Sequence, residues 1–166
     1  MINFDLIPRS HASKVIELVD KVMRTLKNKD LFIPSDTSDI DKLFAAYDLM
    51  GAYDDKNNLV GIGEFIHDVE RLRDYMKILG IEHDSVGEIG CLIDPNAREQ
   101  GIGYKLCEVT LLHGKRERKV KDIIATAHPN NIASRRIMKK LNFVEHPSQI
   151  TSKSGLPRIL GKASVN

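Results

Sequence analysis

Between Cys91 and Gly103 the chain reads Cys-Leu-Ile-Asp-Pro-Asn-Ala-Arg-Glu-Gln-Gly-Ile-Gly, a strand end that loosens into a loop and then starts a helix. Gly101 and Gly103 permit positive φ and let a ligand approach the main chain closely. A helix opening near Gly103 turns unpaired N–H groups and a partial positive charge toward whatever lies in front of it. Arg98 adds a fixed cation beside them. Such a combination binds anions, and a phosphate is the usual occupant. The same glycines would also suit a plain strand-to-helix turn. Two other glycine loops are excluded, because no Gly-Lys-Ser/Thr ending follows and the third glycine of a dinucleotide fingerprint is absent. Gly61 and Gly63 sit inside a strand pattern and read as structural.

A second group lies downstream, Asn131-x-x-Ser134 followed by Lys140-Leu141-Asn142-Phe143. By itself it is a helix cap with a helix behind it. Taken with Arg98-x-x-Gly101-x-Gly103, it resembles the paired motifs of the GNAT superfamily of acetyl-CoA-dependent N-acetyltransferases. There motif A reads Arg/Gln-x-x-Gly-x-Gly/Ala, and motif B is an Asn-x-x-Ser/Ala helix ending in Leu-Gly-Phe. The likeness covers about Val86 to Phe143, with motif A at about 86–118 and motif B at about 123–143. It implies a three-layer α/β/α domain whose sheet splays at a cofactor cleft. Cys91, Leu92 and Ile93 would offer main-chain hydrogen bonds to the pantetheine arm of acetyl-CoA. Arg98, Glu99, Gln100, Gly101, Ile102 and Gly103 would cradle its pyrophosphate, and Asn131 and Ser134 would meet the arm from the opposite side. The co-substrate is acetyl-CoA, with no metal. A GNAT-like domain that senses acyl-CoA without turnover, or an interaction domain on this fold, is the alternative.

The reaction implied is direct attack of a primary amine on the thioester, with a main-chain N–H near Leu92 or Ile93 polarising the carbonyl. A lysine-like amine costs about 4–5 kcal/mol to deprotonate at pH 7, so the site needs a base, a water relay or strong desolvation. Family members that use a tyrosine acid carry it where this chain has Met138, and a strand carboxylate where it has Thr126. Met138 belongs to an apolar stripe and reads as core. Glu88, near the start of the strand that would splay, is the leading base candidate; an exposed strand residue or ion-pair partner is the other reading. Glu64 and Tyr104 are weaker choices. Asn142 stands where the family has glycine and tolerates a left-handed turn. Glu99 also takes a position often held by glycine, and places a negative charge near the expected pyrophosphate.

The elements that must position these residues can be read from periodicity. Met1–Pro8 alternates as a strand, and a helix runs from about Ser10 with Val15, Val19, Val22 and Leu26 on one face. Lys27–Pro34 breaks it. A shorter helix from Ser38 places Ile40, Leu43, Phe44 and Tyr47 together. Leu49–Tyr53 and Leu59–Ile66 form a hairpin around Asp54–Asn58. Asp68 caps an inserted helix of about 68–80 with the stripe Leu72, Tyr75, Met76 and Leu79, stopped by Gly80. That insertion is longer than a hairpin needs, so it either walls the acceptor end of the cleft or covers a sheet edge. Next come a strand at Val86–Ile93, a helix at Gly103–Arg118, a strand at Ile123–Ala127 and a helix at Asn131–Leu141. The closing strands are Phe143–Ile150 and Pro157–Lys162. Such mixing predicts an α+β fold with a largely antiparallel sheet and one parallel crossover near residues 88–127.

Composition sets the frame. A chain of 166 residues suits a single acetyltransferase domain over 1–166, and the formal charge of +2 argues for neither nucleic acid nor membrane. Neither Cys91 nor Cys107 has zinc-site spacing to a second cysteine or a histidine, so no structural metal is expected. With no signal peptide and no apolar run of membrane length, the expected location is cytoplasmic. The basic run Lys115–Lys121 reads as a solvated helix end. Expected partners are acetyl-CoA and an amine acceptor, with homodimerisation left open.

Overall fold

The computed structural model describes residues 1–31 and 35–164. Strands β1 (Asn3–Leu6), β2 (Tyr47–Tyr53), β3 (Leu59–Ile66), β4 (Val86–Ile93), β5 (Asp122–Ala127), β6 (Val144–Glu145), β7 (Ile150–Thr151) and β8 (Pro157–Ser164) form one sheet. Its order is β1-β2-β3-β4-β5-β8-β6, with β7 beside β8. Among the described residues only β4 and β5 run parallel; every other pairing is antiparallel. The helix α4 (Ile102–Glu117) makes the crossover between the parallel strands. The mixed, mostly antiparallel sheet expected from the sequence is the one observed.

Helices cover both faces. On one side lie α1 (Ala12–Thr25), α2 (Ile40–Ala46) and α3 (Val69–Leu79); on the other lie α4 and α5 (Ile132–Lys140). Side-chain alternation along β4 shows the division. Leu92 packs with Val15, Leu18, Val19 and Ile62 under α1, whereas Ile89 joins Phe65, Cys107 and Ile123 on the α4 side. Leu72 and Met76 of α3 pack with Val86, Ile124 and Leu160, which leaves a space between the α1 and α3 clusters. Burying the leucine and valine side chains of each stripe contributes roughly 1.5–3 kcal/mol apiece.

Local sequence explains the element ends. Asp39, Asp68 and Asn131 cap α2, α3 and α5 by accepting the N–H of Lys42, Arg71 and Ser134, and Gly80 ends α3 in the left-handed conformation. Gly63 is a spacer: a Cβ there would meet Thr110 Oγ1 at 2.2 Å, so α4 could not lie so close to β3.

Three expectations need correction. Tyr47 is not on the helical face of α2; it opens β2 opposite Ile66, with an extended backbone that suits an aromatic residue. Phe143–Ile150 is not one strand. The His146 N–H still donates to the Leu160 carbonyl at 2.7 Å, but Pro147 has no N–H for the ladder, and the chain leaves the sheet there and returns at Ile150. Pairing on β8 moves from Lys162 and Gly161 to Arg158 and Pro157 across that break. The predicted break at Lys27–Pro34 is seen as far as a short 3-10 turn, Lys29–Leu31; residues 32–34 lie outside the described residues.

Candidate functional site

The two parallel strands part company halfway along. Pairing of β4 with β5 runs from Val86↔Asp122 to Ile89↔Ala125 and stops, although β4 continues to Ile93 and β5 to Ala127. On its other edge β4 stays paired with β3 up to Gly61↔Ile93. The N–H of Asp94 donates to the Val60 carbonyl at 2.9 Å, so strand alternation turns the main chain of Leu92 toward β3 and that of Cys91 and Ile93 toward the gap. Leu92 is therefore not a free main-chain donor to the gap, and Cys91 and Ile93 are. A buried peptide group left without a partner costs about 1–3 kcal/mol, so an open edge inside a sheet invites an extended ligand.

A cavity of about 480 Å³ occupies the gap and is lined by residues from both faces of the sheet. Such a volume is within the range that holds a drug-sized ligand. Cys91, Cys107, Asn131, Ser134 and Ile137 line it on the α4/α5 side; Glu64, Glu88, Thr126, Tyr75 and Arg158 line it on the α1/α3 side. The inserted helix α3 therefore forms a wall of the cavity, presenting Arg71, Asp74, Tyr75 and Ile78 to it.

Glu88 is not an exposed strand residue; it is 9% exposed. Burial pushes its carboxyl up to about 7, opposed by the Arg71 guanidinium, reinforced by Glu64 and opposed again by the Thr126 hydroxyl. Glu64, on β3 opposite Gly90, is also raised by burial, with the Ser35 hydroxyl pulling the other way. Gly90 has no side chain, and the Glu64 carboxylate fills that space, 3.6 Å from where a Cβ would stand. Two carboxyls that resist ionisation face one cavity, and Glu88, raised to about 7, can hold or accept a proton near neutral pH. Tyr104 is elsewhere: its hydroxyl bonds Glu108 at 3.2 Å and its ring lies under Lys140.

The glycine loop sits at the rim rather than in the cavity. Arg98, Glu99, Gln100 and Gly101 are exposed, while Ile102 is buried and anchors α4. Glu99 and Gly101 both have positive φ, 63° and 75°. No side chain caps α4, in contrast to α2, α3 and α5, and no acidic residue occupies its first turn. Gly103 lies against Ile137 of α5 and Ile93, next to the gap. Asp94 braces the loop from below, accepting the Asn96 N–H at 2.9 Å and Lys21 Nζ at 2.5 Å. Asn131 Oδ1 accepts the Ser134 N–H at 3.1 Å, so capping is one of its jobs while both residues line the cavity. Met138 is buried core, touching the space beside Gly161.

Arg71 and Arg158 were not singled out from sequence, and Tyr75 was read there only as part of the apolar stripe of the inserted helix. For Arg158 a signal existed: an arginine inside the apolar strand pattern Pro157–Lys162. Among the described residues no cluster of three or more His, Cys, Asp or Glu could hold a metal ion, and no helix is long and apolar enough to cross a membrane.

Solved structures share this fold along nearly the whole chain. An N-acetyltransferase from Staphylococcus aureus Mu50 has a TM-score of 0.74 at 12% identity, over 99% of this chain and 98% of that one. A ribosomal-protein-alanine N-acetyltransferase from Brucella melitensis has 0.71 at 18%, over 98% and 99%. The structure of yncA from Salmonella typhimurium with its cofactor acetyl-CoA has 0.74 at 15%, over 99% and 94%. At these identities the likeness speaks for the fold, which is that of the GNAT proteins. The family model described as Acetyltransferase (GNAT) domain matches residues 13–144, and the chain belongs to that acetyltransferase family. An uncharacterized N-acetyltransferase, YnaD of Bacillus subtilis (strain 168), is 39% identical over 56 residues, 34% of this chain. That match spans about a third of the relative's length, 33%.

Proposed function

We propose that this protein is an N-acetyltransferase that moves an acetyl group from acetyl-CoA to a primary amine of a small molecule or peptide by direct attack. The parting of β4 and β5 after Ile89 and Ala125 carries this reading, because it leaves the β5-facing main chain of Cys91 and Ile93 without a strand partner, with Cys91 lining the cavity. The residues present fit the co-substrate: an open strand edge for an amide-bearing arm, and an uncapped helix start with Gly101, Gly103 and Arg98 for a diphosphate. When bound, acetyl-CoA supplies an activated thioester. The Ile93 and Cys91 N–H groups, turned away from β3, would stabilise the negative charge its carbonyl oxygen gains. Glu88 accepts the proton of the attacking amine, and Glu64 shares that proton across the Gly90 gap. Thr126 steadies the Glu88 carboxylate.

Isothermal titration of coenzyme A into the folded protein tests the cleft, and thiol release with a panel of primary amines tests turnover. Measurable binding with amine-dependent thiol release is expected. Absence of heat on titration would remove the reading; binding without thiol release would leave a sensor.

A further inference from the structure

One buried charge has no use in the scheme above. Arg158, on β8, is 3% exposed and lines the cavity on the same side as Glu88. Its Nη1 donates to the Leu31 carbonyl at 3.5 Å, the outer limit of a hydrogen bond, and among the described residues its Nη2 has no partner. A guanidinium is a rigid fork of donors that cannot shed its proton, so burying one half-satisfied is costly unless an oxyanion completes it. Burial lowers its pKa, with only the Tyr75 phenol and Asp30 acting in its favour. Tyr75 sits among Glu88, Arg71 and Arg158, close enough for all of them to act on its hydroxyl. Arg71 is already engaged, bonded to the Tyr47 hydroxyl and stacked over that ring. Lys153 also lines the cavity, but it is exposed and its charge stays in water, so among the described residues Arg158 is the buried cation left for a ligand.

Resting on the acetyl-transfer reading of the cavity, we infer that Arg158 anchors a carboxylate of the acceptor, which is therefore an amino acid or a similar amino-carboxylate. The geometry separates the two ends of such a molecule. Its amine meets Glu88 and Glu64 at the parted strands, and its carboxylate meets the fork of Arg158 beside Tyr75. A carboxylate matches the planar two-donor fork of a single buried guanidinium. Leu31 and the Ser152–Ser154 turn also line the cavity.

The test uses the full chain with coenzyme A or acetyl-CoA bound. The twenty amino acids, β-alanine and γ-aminobutyrate are compared with their amides and decarboxylated amines, first by thermal shift and then by thiol release. The expected result is that at least one amino-carboxylate binds and turns over with kcat/KM about 100-fold above its amide and amine. In Arg158→Met that preference falls to about 3-fold or less while coenzyme A affinity stays within about twofold. Arg158→Lys, which keeps the charge and loses the fork, gives an intermediate preference and serves if the methionine variant folds poorly. The proposal is overturned if amides or decarboxylated amines react as well as their parents, or if Arg158→Lys leaves the preference unchanged. It is also overturned if no amino-carboxylate stabilises protein that does bind coenzyme A. Failure to bind coenzyme A at all would instead overturn the acetyl-transfer reading beneath it.

Discussion

Glu88 and Glu64 show how much a strand residue depends on what closes over it. Burial holds Glu88 near 7, so its basic form appears as pH rises through that value. The rate should therefore climb toward pH 7 and level off above it. Glu88→Gln should lower kcat by about 10²-fold and erase that inflection, which a pH–rate profile would reveal; an unchanged profile would remove Glu88 from the chemistry. The same shift has a stability consequence. Because the folded protein holds this proton more tightly than the unfolded chain, stability is full below about 4.5 and declines as pH rises to about 7. Glu88→Gln should thus be more stable than the parent at pH 8, by about 3 kcal/mol in urea unfolding, with the gain vanishing near pH 4. Glu99 makes a smaller case. It is exposed at positive φ, beside the proposed diphosphate site. Glu99→Gln should tighten coenzyme A binding about twofold at low salt and by less at high salt.

At the scale of elements, glycines set how closely α4 approaches the sheet. The Phe65 ring lies between Gly87 and Gly114, where added Cβ atoms would stand 2.3 and 2.1 Å from it. Gly114→Ala should destabilise the fold by about 2–3 kcal/mol, and Phe65→Leu in the same chain should recover part of that loss; thermal melts of the four proteins form the cycle. Helix α3 offers a contrast. Its Leu72 and Met76 hold it to the sheet, while Tyr75 borders the cavity. Tyr75→Ala should raise the acceptor KM with little change in coenzyme A affinity, and equal effects on both would contradict its place at the acceptor end.

For the whole molecule, a ligand that completes the open edge of β4 should stabilise all layers together, since α1, α4 and α5 meet around it. Acetyl-CoA at 100 times its Kd should add about 2.7 kcal/mol, a rise in Tm of about 5–10 °C by scanning calorimetry. Much of this architecture was legible in the chain. Hydrophobic period, the caps Asp68 and Asn131 and the stop at Gly80 are local, so they located α3, α4, α5, β3 and β4 to within a residue or so. Tyr47 and the Phe143–Ile150 segment were misread because short apolar runs pair wherever neighbours leave room, and sequence holds no record of those neighbours. Motif spacing likewise marked Arg98, Gly101, Gly103 and Asn131 as candidates, and its place near the start of β4 marked Glu88. Composition could not show that β4 leaves β5 after Ile89, that Glu64 meets Glu88 across Gly90, or that Arg158 is buried beside Tyr75. These depend on which strands lie side by side and how far their twist lets them pair. Local residue types fixed the elements; the electrostatics of the cavity arose only when distant carboxylates and a distant guanidinium were folded out of water into one space.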